Sequence, residues 1–422
     1  MIYRGLHLAG WVGIALCPGT AWSQDGQQGI PRDGLNDSVQ SALESGRPNG
    51  FQLDVSAGGS YERNPFLLPG EDTGSAAVYV QIDPAYQLIS DLTTVTFAAN
   101  LRAEEYFRRY DTNLSARLGL DASHRLSPTT TLRGRVSGRS SRTNELNFFP
   151  AAGSVTPPTS PPIALPDVTL AGTTTRTSQI EAGLGLDLSI SPRDQLTADV
   201  AASQTYFSGV AQSDFRYGSA AVDYSRKVSA QTSLSLSMRF SVFDYLERSA
   251  DDGITFSPTV GIKSELGPRL SLDASAGVSV NRVNRIDGSR FSNVAAALRA
   301  RMCYRSDTGS TCANVARQSQ PTALSGLSTV TSFGVSTFRR LGSKDEISAN
   351  VGYTLTSSPP EALSAATSPD LLSAGASYTH DFNRRFAGFV NASYTQVSDT
   401  VTPRRSNPGV RLGLRYRFGG SQ

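Results

Sequence analysis

Arginines recur at alternate positions in two stretches of the chain. In TLRGRVSGR, Arg133, Arg135 and Arg139 share one parity, with Arg117 on the run before it; in RLGLRYRF, Arg411, Arg415 and Arg417 do the same. Successive side chains of a strand point to opposite faces, so each set would form a strip of guanidinium groups on one wall. A focused positive field of that kind draws anionic solutes, uronic-acid polymers among them. The plainer reading is a solvated wall on which Asp54, Glu181, Asp187 and Asp199 balance the arginines. Both readings leave these seven arginines as the candidates for selectivity.

Other chemistry is sparse. Histidine occurs at His7, His124 and His380. The last two follow apolar parity near short turns, and no nucleophile motif accompanies either, so no catalytic residue and no enzyme activity is expected. No His/Cys cluster has ligand spacing, so no metal or other cofactor is expected. Cys303 and Cys312 flank a turn-like SDTGS in MCYRSDTGSTC. A hairpin there would set the two opposite each other, and an oxidising periplasm would join them. A redox switch is the alternative, though nothing nearby obviously lowers a thiol pKa.

Strands must position these side chains. In IEAGLGLDLSI, Ile180, Ala182, Leu184, Leu186, Leu188 and Ile190 oppose Glu181, Asp187 and Ser189. LSLDASAGVSV, LSARLGLDA and EISANVGYTL repeat the pattern, which is the period of a strand. The alternation is broken at 100–115 and 312–340. Short turns such as SPTT, SPRD, LGPR, GSKD and FNRR alternate with longer loops, among them NPFLLPGEDTG and the Pro-rich stretch around 150–166. That stretch could narrow a pore or cover the surface. Charges are almost absent from the apolar parity, which a solvated outer face or a wet lumen would both allow. Loops sorted by length, together with the export signal of the first residues, predict an all-β transmembrane antiparallel up-and-down barrel of about eighteen strands, with short periplasmic turns and longer extracellular loops.

The first residues fit export. Arg4, the apolar run LHLAGWVGIALC and the small residues Ala21 and Ser23 read as a signal peptide over 1–23. Residues 24–50 read as a periplasmic segment, in which LNDSVQSALESG could form one short helix or a disordered lead-in; the barrel is expected over 51–422. The net charge of +3 gives no reason to expect nucleic acid as a partner. Outer-membrane lipid is the expected surrounding and the cell outer membrane the expected location.

Two resemblances sharpen this. Gly413, Tyr416 and Phe418 have the spacing of the terminal signal that the barrel-assembly machinery reads, with GGSQ following the last aromatic. The stretch from GGSYERNPF to RRYDTN resembles the opening of a family of outer-membrane β-barrel porins, through Tyr61, Asn64, Pro84, Glu105, Tyr106, Phe107 and Tyr110, and RLSPTTTL (125–132) resembles its turn phrase. The resemblance implies an association with exopolysaccharide synthesis and export. It further implies a conduit for secreted polysaccharide, with a periplasmic export partner. A general diffusion porin and a structural or surface-display barrel are the alternatives.

Overall fold

The computed structural model describes residues 49–70, 73–142, 167–209, 212–246, 252–284, 288–323, 326–357, 369–398 and 404–419. The expected signal peptide, the expected helix near 35–46 and the Pro-rich stretch at 150–166 lie outside them.

Eighteen strands form one sheet. They are β1 (Asn49–Glu62), β2 (Ser75–Ile89), β3 (Thr93–Tyr106), β4 (Asn113–Ser127), β5 (Thr130–Arg142) and β6 (Arg176–Ser189). There follow β7 (Asp194–Phe207), β8 (Phe215–Lys227), β9 (Thr232–Tyr245), β10 (Asp252–Glu265), β11 (Leu270–Asn284) and β12 (Arg290–Ser306). The last six are β13 (Gly309–Pro321), β14 (Leu327–Arg340), β15 (Asp345–Ser357), β16 (Asp370–Asp381), β17 (Phe386–Ser398) and β18 (Arg405–Gly419). Each pairs antiparallel with its neighbours in sequence, and β18 pairs with β1 from Gln52↔Gly419 to Glu62↔Gly409. The sheet is therefore a closed up-and-down barrel, and closure removes the unpaired edges that lipid would not tolerate.

The connections sort by end. Those at 90–92, 128–129, 190–193, 228–231, 266–269, 307–308, 341–344 and 382–385 are short and gather with both termini of the sheet at one end. The longer ones, up to 143–175, gather at the other. By the barrel convention the short-turn end is periplasmic.

Alternation assigns the faces. Val80, Leu118, Leu184, Val260, Val351 and Leu412 are all exposed on the outside. On the same strands the inward parity carries Asp83, Arg117, Glu181, Lys263, Asn350 and Arg411. A layer of apolar side chains without a protein partner fits hydrocarbon, and a charged inner layer needs water.

One ladder is cut short. β12 pairs with β11 over its whole inner length, Leu270↔Tyr304 to Asn284↔Arg290, but with β13 only from Leu298↔Arg317 to Ser306↔Gly309. The last residues of β13, from Gln318, pair with β14 alone. Asn281 on β11 donates to Ser319 at 3.1 Å across the intervening strand, so the top of β13 leaves the wall and leans into the lumen. Arg317 has outward parity at this departure and donates to Thr331 at 3.0 Å. An arginine facing lipid costs about 2–4 kcal/mol at the bilayer midplane and far less near its edge.

The shortened hairpin carries the disulfide. Cys303 and Cys312 stand opposite each other and are bonded, both buried on the lumen side. Closing so short a loop restricts the unfolded chain and is expected to contribute about 2–3 kcal/mol. Replacing both cysteines with alanine should lower the stability from denaturant titration by that amount, and reducing agent should reproduce the loss in the unmodified chain. A midpoint that does not move in either experiment would show the bridge to be energetically idle.

Candidate functional site: the lumen and its mouths

All seven candidate arginines lie on inward parity, but they do not form bare cationic strips. Arg133 on β5 bonds Asp187 on β6 at 2.6 Å and Asp199 on β7 at 3.1 Å, and Thr197 donates to the same Asp187 at 2.8 Å. Arg135 pairs with Glu181. The register explains the match: Arg133 stands opposite Gly185, whose missing side chain lets the guanidinium reach the acids on either side. Arg139 stands opposite Arg117 across β4–β5 and has no ion pair among the described residues. Among the described residues of this wall, the charge without an ion pair is therefore that of Arg139.

The second set faces the closure of the barrel. Arg417 bonds Asp54 on β1 at 3.2 Å, and that carboxylate is fully buried. Arg411 lies 3.7 Å from Glu62 and 3.9 Å from Glu104. Glu104, 1% exposed, also holds Arg102 at 2.7 Å and accepts from Ser60 at 3.1 Å. Between the two guanidinium groups lies the Tyr79 ring, 4.8 Å from Arg102 and 5.2 Å from Arg411. Such cation–π contacts strengthen when desolvated. The sequence reading did not single out Tyr79, Glu62 or Glu104; the signal available was the same-face spacing of Arg102 and Glu104. Arg415 lies between Arg411 and Arg417 on the same face, opposite Ser56.

Gly413 faces the lumen directly opposite Gly58, while Tyr416 and Phe418 face outward near the periplasmic end with rings 4.5 Å apart. His124 and His380 share that outer level: His124 Nδ1 lies 2.8 Å from Thr93 Oγ1, and His380 Nδ1 lies 2.7 Å from Asp345, which also accepts from Tyr378 at 2.6 Å.

Loops close over the extracellular mouth. The chain after the Pro-rich stretch makes a 3-10 turn, Val168–Leu170, and Val168 packs with Leu67, Leu371 and Val397. Ala323, from the leaning β13–β14 connection, donates to Asp167 at 2.6 Å and accepts from Ser213 at 2.9 Å. The Tyr245 hydroxyl on β9 lies 2.7 Å from the Thr322 carbonyl and 3.0 Å from that of Gly326. Three strands separate β9 from β13, so these bonds run inside the wall across part of the rim and narrow the mouth. Some of the residues that carried the family resemblance, Asn64, Tyr106 and Tyr110, also lie at this end. Asn64 shapes its own turn through two bonds to Leu68, at 2.8 and 2.9 Å, and Tyr110 packs on Phe66 at 4.8 Å and Tyr106 at 5.4 Å. Burial holds the Tyr110 phenol above its usual range.

The outward apolar layer, the closed hydrogen bonding and the charged inner layer together decide the class. The chain is a membrane-spanning β-barrel of the outer-membrane type. No protein-family model and no curated protein matches it. Solved structures of similar shape include Pseudomonas aeruginosa OpdK with vanillate (TM-score 0.45, 12% identity, covering 88% of this chain and 99% of that one). Pseudomonas aeruginosa OccK2 (OpdF) has a TM-score of 0.46 at 10% identity, covering 87% and 98%. The FrpB iron transporter from Neisseria meningitidis, F5-1 variant, has a TM-score of 0.43 at 9% identity, covering 90% and 84%. At these identities the likeness is one of barrel architecture.

Proposed function

We propose that the barrel is a water-filled channel of the outer membrane and serves as an exit conduit for a secreted polysaccharide. The observation that carries the channel is the closed eighteen-stranded wall with a polar and charged inner face; a barrel that wide encloses an aqueous lumen. The polymer rests on the family resemblance and on the lumen chemistry. Paired arginines and carboxylates together with Ser, Thr and Asn side chains offer donors and acceptors to hydroxyl-rich chains without trapping them in a strong field. Assembly would use the last strand, with Tyr416 and Phe418 presented outward to the barrel-assembly machinery. A periplasmic export partner would deliver the polymer to the short-turn end.

The test is single-channel recording of the refolded protein in a planar bilayer. Steady conductance, interrupted by added oligosaccharide, is expected; a folded barrel that passes no current would sink the reading. Arg139→Gln should shift the anion-to-cation permeability ratio by about twofold toward cations, the effect of one charge acting over roughly 10 Å of water. Reversal potentials in a salt gradient measure that ratio directly.

A further inference from the structure

At the periplasmic end, the 341–344 and 382–385 turns stand beside the inner face of β18. A cavity of about 420 Å³ opens between them, lined by Lys344, Arg384, Arg385, Arg415 and Arg417 against a single carboxylate, Asp381. Arg417 is already committed to Asp54. Lys344, Arg384, Arg385 and Arg415 have no ion pair among the described residues. The nearest lumen acid on β15, Glu346, stands opposite Arg340 in the register.

The scaffold under these cations is held. The Asp381 amide donates to the Lys344 carbonyl at 2.8 Å, tying one turn to the other. Asn383 Oδ1 accepts from the amides of Arg385 at 2.9 Å and Phe386 at 3.0 Å, fixing the backbone from which Arg384 and Arg385 project. Arg415 and Arg417 have lumen parity, so the cavity opens to water at the barrel entrance and not to the lipid headgroups outside.

Crowding four cations that form no ion pair around a hollow that holds one carboxylate is unfavourable unless a further anion joins them. Guanidinium groups in a fixed array match carboxylate and phosphate oxygens in pairs, and the lysine adds a point charge. We propose that this cavity is an entry site for a multivalent oxyanion, one bearing several carboxylate or phosphate groups, which it captures from the periplasm before transit. The assignment rests on the channel reading and names the substrate class for it: an acidic solute or polymer and not a neutral one.

The experiment is titration calorimetry of the full chain in detergent at low salt, with trigalacturonate, inorganic pyrophosphate and neutral maltotriose as probes. Binding of one or both anions and not of maltotriose is expected, weakened at least tenfold in the triple variant Lys344→Ala, Arg384→Ala, Arg385→Ala. These are exposed turn residues, so the variant should still run as a folded barrel. Preference for trigalacturonate would assign a sugar acid, and preference for pyrophosphate a phosphorylated solute. Equal affinity of the wild-type and variant chains, or binding of maltotriose as tight as that of the anions, would overturn the proposal. Calorimetry does not depend on current. Binding without conductance would remove the channel and leave the site, whereas conductance without binding would remove the site and leave the channel.

Discussion

Gly58→Ala is expected to abolish most of the closed barrel. Gly58 stands opposite Gly413 where β1 meets β18, and Tyr79 reaches across from β2 to lie over both, its hydroxyl donating to the Leu412 carbonyl at 3.5 Å. A Cβ at residue 58 would sit 2.7 Å from the Gly413 Cα and 2.8 Å from the Tyr79 hydroxyl, and closer still to the Leu412 carbonyl oxygen. Two of these three are backbone atoms of the neighbouring strand, so relief requires β1 and β18 to part. Glycine in a strand interior marks such close approaches. Gly413→Ala should be milder. Its added carbon would meet the Tyr79 hydroxyl and Phe389 Cζ at 2.5 and 2.7 Å, which are side-chain ends, besides the Ala57 carbonyl oxygen at 2.8 Å. Adding Tyr79→Phe to Gly413→Ala should then recover part of the loss, and should do nothing for Gly58→Ala. The folded fraction after refolding, read from heat-modifiable migration in gels, measures all three. Wild-type yield from Gly58→Ala would falsify this account of the seam.

Glu104→Ala is expected to destabilise the barrel by about 3 kcal/mol, the lower end of what removing one member of a buried pair costs, because the lumen gives Arg411 some water. Glu104 is the acid common to Arg102, Arg411, Ser60 and Tyr106, whose hydroxyl lies 3.3 Å away. Without it, two guanidinium groups flank one tyrosine ring, and Arg411 keeps Glu62 as its ion-pair partner among the described residues. Glu104→Gln keeps an acceptor for Ser60 and the size of the side chain, so its loss should fall between the two. Denaturant midpoints at constant slope give the comparison. A change below about 1 kcal/mol for the alanine variant would mean that the arginines find other partners, as surface ion pairs readily do.

The parts of this architecture that repeat locally were legible in the chain. Period-two alternation in IEAGLGLDLSI placed Glu181 and Asp187 inward, and the same rule placed Arg133, Arg135 and Arg139 on the lumen wall. What alternation does not carry is register. Whether Arg133 meets Asp187 and Asp199 depends on its standing opposite Gly185, a relation between residues far apart in the chain. Glu104 went unremarked because 100–115 breaks the pattern: Glu105 takes the outward parity and bonds Thr112 in the connection that follows. The second break, 312–340, has a different cause. There β13 leaves the wall, so Arg317 sits outward at its departure while Thr322 and Ala323 become buried inside the mouth. The contacts joining residues 167, 213, 245 and 323 have no local periodicity at all.

The ladder between the first and last strands has one more consequence, and it concerns time. Asp54 and Arg417 are 363 positions apart, and the bonds from Asn64 to Asn407 and from Asn407 to Glu62 span nearly as much. Every other ladder joins neighbours in the chain and can zip from its own turn. This one must wait for the entire ring, since closing so long a loop yields nothing until its ends meet. Contacts made that late contribute little to the transition state, so they act on the rate of unfolding and hardly on the rate of folding. The buried pairs and the Tyr79 clasp are concentrated at the joint that forms last. They set how long the finished ring endures, and the alternating strands set how readily it is reached.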